Sequence, residues 1–225
     1  MDGAGASAAD HGGGVDAACA RWGGARGDWL DLSTGINPVP YPLPAFAPGD
    51  WAALPDAAAT AALEAAARGF WGVPDGAAVL AAPRASALIA GIPALVPPGR
   101  AAIPAPTYNE HGRAFRAAGW QVGPSGGAEA RVIVHPNNPD GRVWTVETAL
   151  AGLAPSAMLV IDESFCDVMP GASLIALAAR PRTLILKSFG KFWGLAGLRL
   201  GFAIGDPALV AGLARRLGPW PVSGP

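Results

Sequence analysis

Residues 157–163 read AMLVIDE, an apolar run that closes on two carboxylates, Asp162 and Glu163. A short, unbroken apolar run predicts a strand covered on both faces, because a half-solvated strand would alternate apolar and polar residues. The chain around it repeats the pattern. Strand-like runs fall at 77–82 (AAVLAA), 100–104 (RAAIP), 130–135 (ARVIVH), 183–187 (TLILK) and 198–204 (LRLGFAI). Helical patterns fall between several of them, at 84–95, 108–118, 145–153 and 206–217, and a further helix is expected over 55–69, from Pro55 to Gly69. The alternation predicts an α/β domain with a mostly parallel sheet and helices on both faces. In such folds ligands bind at the C-terminal ends of the strands. Residues 29–44 (WLDLSTGINPVPYPLP) hold four prolines and read as extended chain with turns. The expected organisation is a flexible N-terminal arm over 1–28, one large domain over 29–218 and a linker over 219–225.

Composition narrows the function. The chain has 225 residues, 51% hydrophobic and 15% charged, with 16 basic against 17 acidic residues. That balance leaves no electrostatic footprint for nucleic acid or an anionic membrane surface. No apolar run is long enough to predict a membrane span. The first residues (MDGAGASAADHGGG) lack the basic region and apolar core of a secretory signal. Cys19 and Cys166 do not form a disulfide framework, which points to a reducing cytosol. His11, His111 and His135 lie far apart without zinc spacing, so no metal site is expected. Only two of the basic residues are lysines, Lys187 and Lys191. In so arginine-rich a chain each amine is a candidate for chemistry that a guanidinium cannot do.

The polar residues gather at strand ends. The 130–135 run leads into HPNNPDG, 157–162 into Asp162 and Glu163, 183–187 into SFGKFWG, and 100–104 into PTYNEH; 77–82 leads through Pro83 into a helix, and 198–204 opens with Leu198-Arg199. Each has an ordinary reading alone. NNPDG is a good turn sequence, an Asp at a strand end is often a cap, and a tyrosine usually packs. Together they suit pyridoxal phosphate. Its aldehyde needs a lysine amine, its ring nitrogen an acidic partner, and its phosphate a helix N-terminus with a cation and a hydroxyl.

The string SFGKFWGLAGLRLGF at 188–202 resembles the lysine segment of the class I/II aminotransferase-like, fold-type-I pyridoxal-phosphate enzymes. The order PTY, NNPDG, DE, SFGK, GLRLG matches that superfamily over about residues 29–225. Within it, HGG at 11–13, LDLSTGINPVPYPLP at 30–44, NNPDGR at 137–142 and GPWPVSGP at 218–225 resemble the threonine-phosphate decarboxylases of cobalamin biosynthesis, close kin of the histidinol-phosphate aminotransferases. The resemblance implies that Lys191 holds the cofactor aldehyde and later moves protons, that Asp162 pairs with the ring nitrogen, and that Asn138 donates to the phenolic oxygen. It implies that Tyr108 stacks on the ring, that Ser188 and Arg199 hold the phosphate, and that His111 supports Asp162. Lys187 sits four residues too early for the lysine motif. His11, Asn37 and the 33–38 segment are candidates for orienting substrate.

Three departures stand out. The phosphate loop, where relatives carry a glycine and then a hydroxyl residue, reads Pro83-Arg84-Ala85-Ser86. Ala85 loses the hydroxyl, and Arg84 either adds a charged contact or crowds the site. Phe165 stands where many relatives carry a tyrosine. The resemblance also implies a smaller C-terminal domain that the sequence does not contain, so a truncated chain is expected. The activity implied is decarboxylation of L-threonine O-3-phosphate, a small phosphorylated amino acid, by a homodimer. The alternatives are a histidinol-phosphate-type aminotransferase and a non-catalytic remnant. A dinucleotide or nucleotide module is disfavoured, since neither G-x-G-x-x-G after a strand nor a P-loop is present.

Overall fold

A computed structural model describes residues 12–124 and 127–225. Seven strands form one sheet: β1 Ala78–Ala82, β2 Arg100–Ala102, β3 Gln121–Gly123, β4 Ala130–Val134, β5 Met158–Asp162, β6 Thr183–Ser188 and β7 Gly201–Gly205. Their order across the sheet is β1-β7-β6-β5-β4-β2-β3. β3, β2, β4, β5 and β6 run parallel, while β7 is antiparallel to both of its neighbours. The helices are α1 Val15–Trp22, α2 Pro48–Ala52, α3 Ala57–Trp71, α4 Ala85–Gly91, α5 Asn109–Ala117, α6 Val146–Leu150 and α7 Pro207–Leu217. Among the described residues, no helix is long and apolar enough to cross a membrane.

Side-chain alternation divides the core between the two faces of the sheet. Met158 and Val160 of β5, with Leu184 and Leu186 of β6, pack under α4, α5 and α7 against Leu88, Phe115 and Leu213. Leu159, Ile161 and Ile185 face the other way, toward α3, α6 and a 3-10 turn at Ile175–Ala179. The same parity carries past the apolar residues. Asp162 and Ser188 fall on the α5 side, and Glu163 and Lys187 fall on the α3 side.

Five features differ from the reading of the sequence. Helix α3 does not stop at Gly69; it runs to Trp71 and ends on Gly72, which has a left-handed φ of 61°. A mid-helix glycine costs only about 0.5–1 kcal/mol, and the packing of Trp71 against Phe202, with ring centroids 5.2 Å apart, outweighs it. The last strand starts at Gly201 instead of 198, because 196–198 form a 3-10 turn and Arg199 is left-handed at φ 57°. The 84–95 helix is α4 followed by a 3-10 turn at Ile92–Ala94, where Pro93 interrupts the α pattern. Strand β3 was not expected, being three residues at the sheet edge. Residues 15–22, inside the stretch expected to be an arm, are helical.

Candidate active site

A cleft of about 820 Å³ opens at the C-terminal ends of β4, β5 and β6. Arg84, Ala85, Tyr108, Asn138, Asp162, Phe165, Ser188, Lys191 and Arg199, all singled out from the sequence, line it together.

Asp162 lies at its floor, 3% exposed. Its Oδ2 sits 2.8 Å from His111 Nε2, which reaches in from α5. Its Oδ1 accepts from both the backbone N–H and the hydroxyl of Ser164, at 3.0 and 2.6 Å. Burial pushes this carboxyl up, but the hydrogen bond and charge of His111 and the two bonds from Ser164 outweigh it, so the pKa is lowered. The group is therefore a fixed anion. A carboxylate has about four lone-pair positions, so the three donors leave it able to accept once more.

Lys191 lies in the loop after β6, with its Nζ 5.4 Å from the Phe165 ring centroid. Burial pulls its pKa down, the Asp162 charge pulls it up, and Arg199 pulls it down, for a net lowering. Tyr108, at the start of α5, is half-buried, with its ring edge-on to His111 at 6.1 Å. Burial, then the charges of Glu110 and Asp162, push its phenol up, so it stays neutral.

The two asparagines of NNPDG divide their work. Asn137 is buried and bonded to Thr107 Oγ1, the Pro106 carbonyl and Asp140, at 2.6, 2.9 and 2.7 Å, which fixes the turn. Asn138 makes no side-chain hydrogen bond among the described residues and faces the cleft. Both readings of the motif, turn and ligand contact, therefore have a residue to carry them.

A third cluster sits where β7 runs between β1 and β6. Gly201 is level with Ala82 on one side and Ser188 on the other. A Cβ on Gly201 would lie 2.6 Å from the Ala85 backbone nitrogen, so only glycine lets the 83–85 loop close over Ser188. Arg84 has φ 154° and ψ 157°, a region that is essentially glycine-only. Its side chain is exposed and lines the cleft. The backbone thus keeps the glycine-type conformation with an arginine in it. Ser188 Oγ accepts from the Gly190 N–H at 3.2 Å, and the Arg199 guanidinium donates to the Ala196 carbonyl at 2.9 Å.

Two expected substrate residues fare differently. His11 lies outside the described residues. Asn37 does not line the cleft: its N–H donates to the Lys191 carbonyl at 3.0 Å and its Nδ2 to the Phe192 carbonyl at 2.9 Å. It holds the lysine loop, and the preceding Ser33, Thr34, Gly35 and Ile36 face the cleft instead.

Sequence reading missed the buried group on the opposite face. Lys187 Nζ lies 2.6 Å from Glu163 Oε2 and 3.5 Å from Asp167 Oδ1. The signal was strand parity: DE at the end of β5 gives one carboxylate to each face. Nearby, His135, Glu163 and Cys166 bring ligand-type atoms within 4.8 Å of one another. All are committed elsewhere. The His135 nitrogens meet the Ala172 carbonyl and the Trp144 N–H, Glu163 also accepts from Ser173 and Leu174, and burial pushes the Cys166 thiol up to about 12.

The chain is 42% identical to a threonine-phosphate decarboxylase of Pseudomonas aeruginosa, an alignment covering 96% of this chain and 68% of that one. It belongs to the threonine-phosphate decarboxylase family. The model for aminotransferases of class I and II matches residues 123–225. Among solved structures, the family's fold is shared with a histidinol-phosphate aminotransferase from Clostridium acetobutylicum (TM-score 0.72, 19% identity, 87% of this chain and 66% of that one). It is shared too with an L-threonine-O-3-phosphate decarboxylase from Porphyromonas gingivalis (TM-score 0.62, 22% identity, 78% and 58%). The chain thus spans about two thirds of the length of its decarboxylase relative. Members of this family depend on pyridoxal phosphate, and the residues found here suit that group. The cleft offers a fixed anion with acceptor capacity to spare, an amine of lowered pKa, an amide with no side-chain hydrogen bond among the described residues and an arginine–serine cluster.

Proposed function

We propose that the protein decarboxylates L-threonine O-3-phosphate to 1-aminopropan-2-ol O-phosphate, a step of cobalamin biosynthesis, in the cytosol and as a homodimer. The observation that carries the reading is the convergence of Lys191 and buried, ionised Asp162 on one cleft in a chain of this family.

When bound, pyridoxal phosphate supplies a protonated ring that draws electrons from the bond broken at the substrate Cα. Asp162 would keep that ring nitrogen protonated, and His111 and Ser164 keep Asp162 ionised. Asn138 would donate to the phenolic oxygen, and Tyr108 would stack on the ring. Ser188, Arg199, Arg84 and the Ala85 backbone would hold the cofactor phosphate. Lys191 would anchor the aldehyde, and its amine, whose pKa burial lowers, would exchange protons at Cα. The orientation in which the cleft holds the substrate would decide between loss of carbon dioxide and amino transfer. Ser33 to Ile36 lie where they can set that orientation. The exposed Trp22, Leu30, Leu32, Trp51 and Leu54 offer apolar area for a second copy.

The test supplies the protein with pyridoxal phosphate and threonine phosphate and measures carbon dioxide. The expected result is release that does not require 2-oxoglutarate and is abolished by Lys191→Ala. Amino transfer dependent on 2-oxoglutarate, without carbon dioxide, overturns the reading in favour of an aminotransferase. Size-exclusion chromatography showing a monomer overturns the dimer.

A further inference from the structure

The loop that carries Lys191 is fastened at a single carboxylate on the far side of the sheet. Asp167, in the 3-10 turn Cys166–Val168 after β5, has a side chain only 6% exposed. Its Oδ2 accepts from Trp193 Nε1 at 2.9 Å, and its Oδ1 accepts from Trp71 Nε1 at 3.0 Å. Lys187 Nζ stands 3.5 Å from Oδ1 and is itself paired with Glu163 at 2.6 Å.

Trp193 follows Lys191 by two residues, and Phe189 precedes it by two. Their rings stack on one another, with centroids 5.3 Å apart and planes at 13°. The lysine is thus the middle of a short arch whose two feet lie together over α3. From above, Asn37 N–H bonds the Lys191 carbonyl and Tyr41 N–H bonds the Trp193 carbonyl, at 3.0 and 2.8 Å. Gly194, left-handed at φ 67°, permits this, since a Cβ there would lie 2.8 Å from the Asn37 carbonyl oxygen. Packing alone would hold the rings but leave them free to slide. A charge-assisted bond to the indole N–H fixes the register of the arch.

We propose that Asp167 is a positioning residue which, through the Trp193 indole and braced by Lys187, sets the direction of the Lys191 amine into the cleft. The inference rests on Lys191 being the cofactor-bearing amine. It gives the second lysine a role without chemistry of its own: Lys187 neutralises Glu163 and steadies Asp167 inside an otherwise apolar face.

The presence of only two lysines makes the test clean. Trp193→Phe keeps the stacked ring and removes only the N–H. Asp167→Asn keeps one acceptor oxygen for two indoles. For each chain, pyridoxal phosphate is added at a concentration that half-saturates the wild type. Borohydride, supplying the hydride, then fixes cofactor to the amine that holds it, and peptide masses give the lysine and the fraction modified. In parallel, the cofactor-free chains are labelled with an amine reagent across a pH series, which gives the labelling midpoint of Lys191. The expected result is a fraction on Lys191 that falls several-fold. The Lys191 midpoint is expected to move up toward that of a free lysine, while the thermal midpoint of Trp193→Phe changes little. Wild-type trapping and a wild-type labelling midpoint in Trp193→Phe overturn the inference, as does a shared loss of thermal stability with no change in the Lys191 midpoint. Absence of cofactor from Lys191 in the wild type overturns the cofactor reading instead, and the labelling series still decides whether Asp167 positions the amine.

Discussion

His111 Nε2 and Asp162 Oδ2 stand 2.8 Å apart, and neither side chain reaches solvent. Asp162 is the ionised partner, so His111 is the donor in this bond. Its removal leaves a buried carboxylate short of a partner. His111→Ala is expected to destabilise the cofactor-free chain by about 1–3 kcal/mol. The pH dependence follows from the lowered Asp162 pKa. The stability it brings is present above the ordinary value of 3.8 and is lost as pH falls through the lower folded value. With His111 gone, burial dominates and acid unfolding starts at higher pH. Denaturant curves and an acid titration followed by circular dichroism check both.

Asp162→Asn removes the anion while keeping the shape. Turnover is expected to fall by about 10²-fold or more, as when a preorganised stabilising group is lost from other sites. On the proposed site, cofactor is expected to bind still through Ser188 and Arg199. Steady-state kinetics alongside equilibrium dialysis of pyridoxal phosphate would show the split.

Arg84 holds a backbone conformation that costs a non-glycine residue about 1–3 kcal/mol. Arg84→Gly relieves that strain but adds freedom to the unfolded chain, worth about 0.5–1 kcal/mol. The expected net effect is a gain in stability of about 1 kcal/mol, read as a higher urea midpoint. Arg84→Ala keeps the strain and gains nothing.

Gly201→Ala tests the closure of the phosphate end. The new methyl meets the Ala85 nitrogen and the Lys187 carbonyl oxygen, both backbone atoms that cannot swing away. A loss of about 1–3 kcal/mol in stability is expected, with weaker binding of pyridoxal phosphate, measured by its absorbance on titration.

The strands at 130–135, 157–162 and 183–187 were legible because fully buried strands carry unbroken apolar runs, and these three sit in the middle of the sheet. So was the set of cleft residues, since parallel strands deliver their C-terminal ends to one edge. The antiparallel entry of β7 was not legible: GFAIG is equally apolar in either direction, and pairing partners leave no local mark. Gly69 misled because a tertiary contact at Trp71 overrode a local stop signal. Asn37 was assigned to substrate on its place in a motif, whereas its amide is spent on loop carbonyls 154 and 155 residues away, a pairing that only the folded chain reveals. Asp167 went unnoticed because it is separated from Trp193 by 26 residues and lies on the face away from the cleft.

Strand β7 is the last of the sheet to leave the ribosome, yet it is inserted between the first strand and β6. Until residue 205 has emerged, β1 has no neighbour and the 83–85 loop has nothing to close upon. The cradle formed by the 83–85 loop over Ser188 is thereby completed only when β7 slots into place, and a nascent chain stalled short of that point would hold Lys191 beside an unfinished cleft.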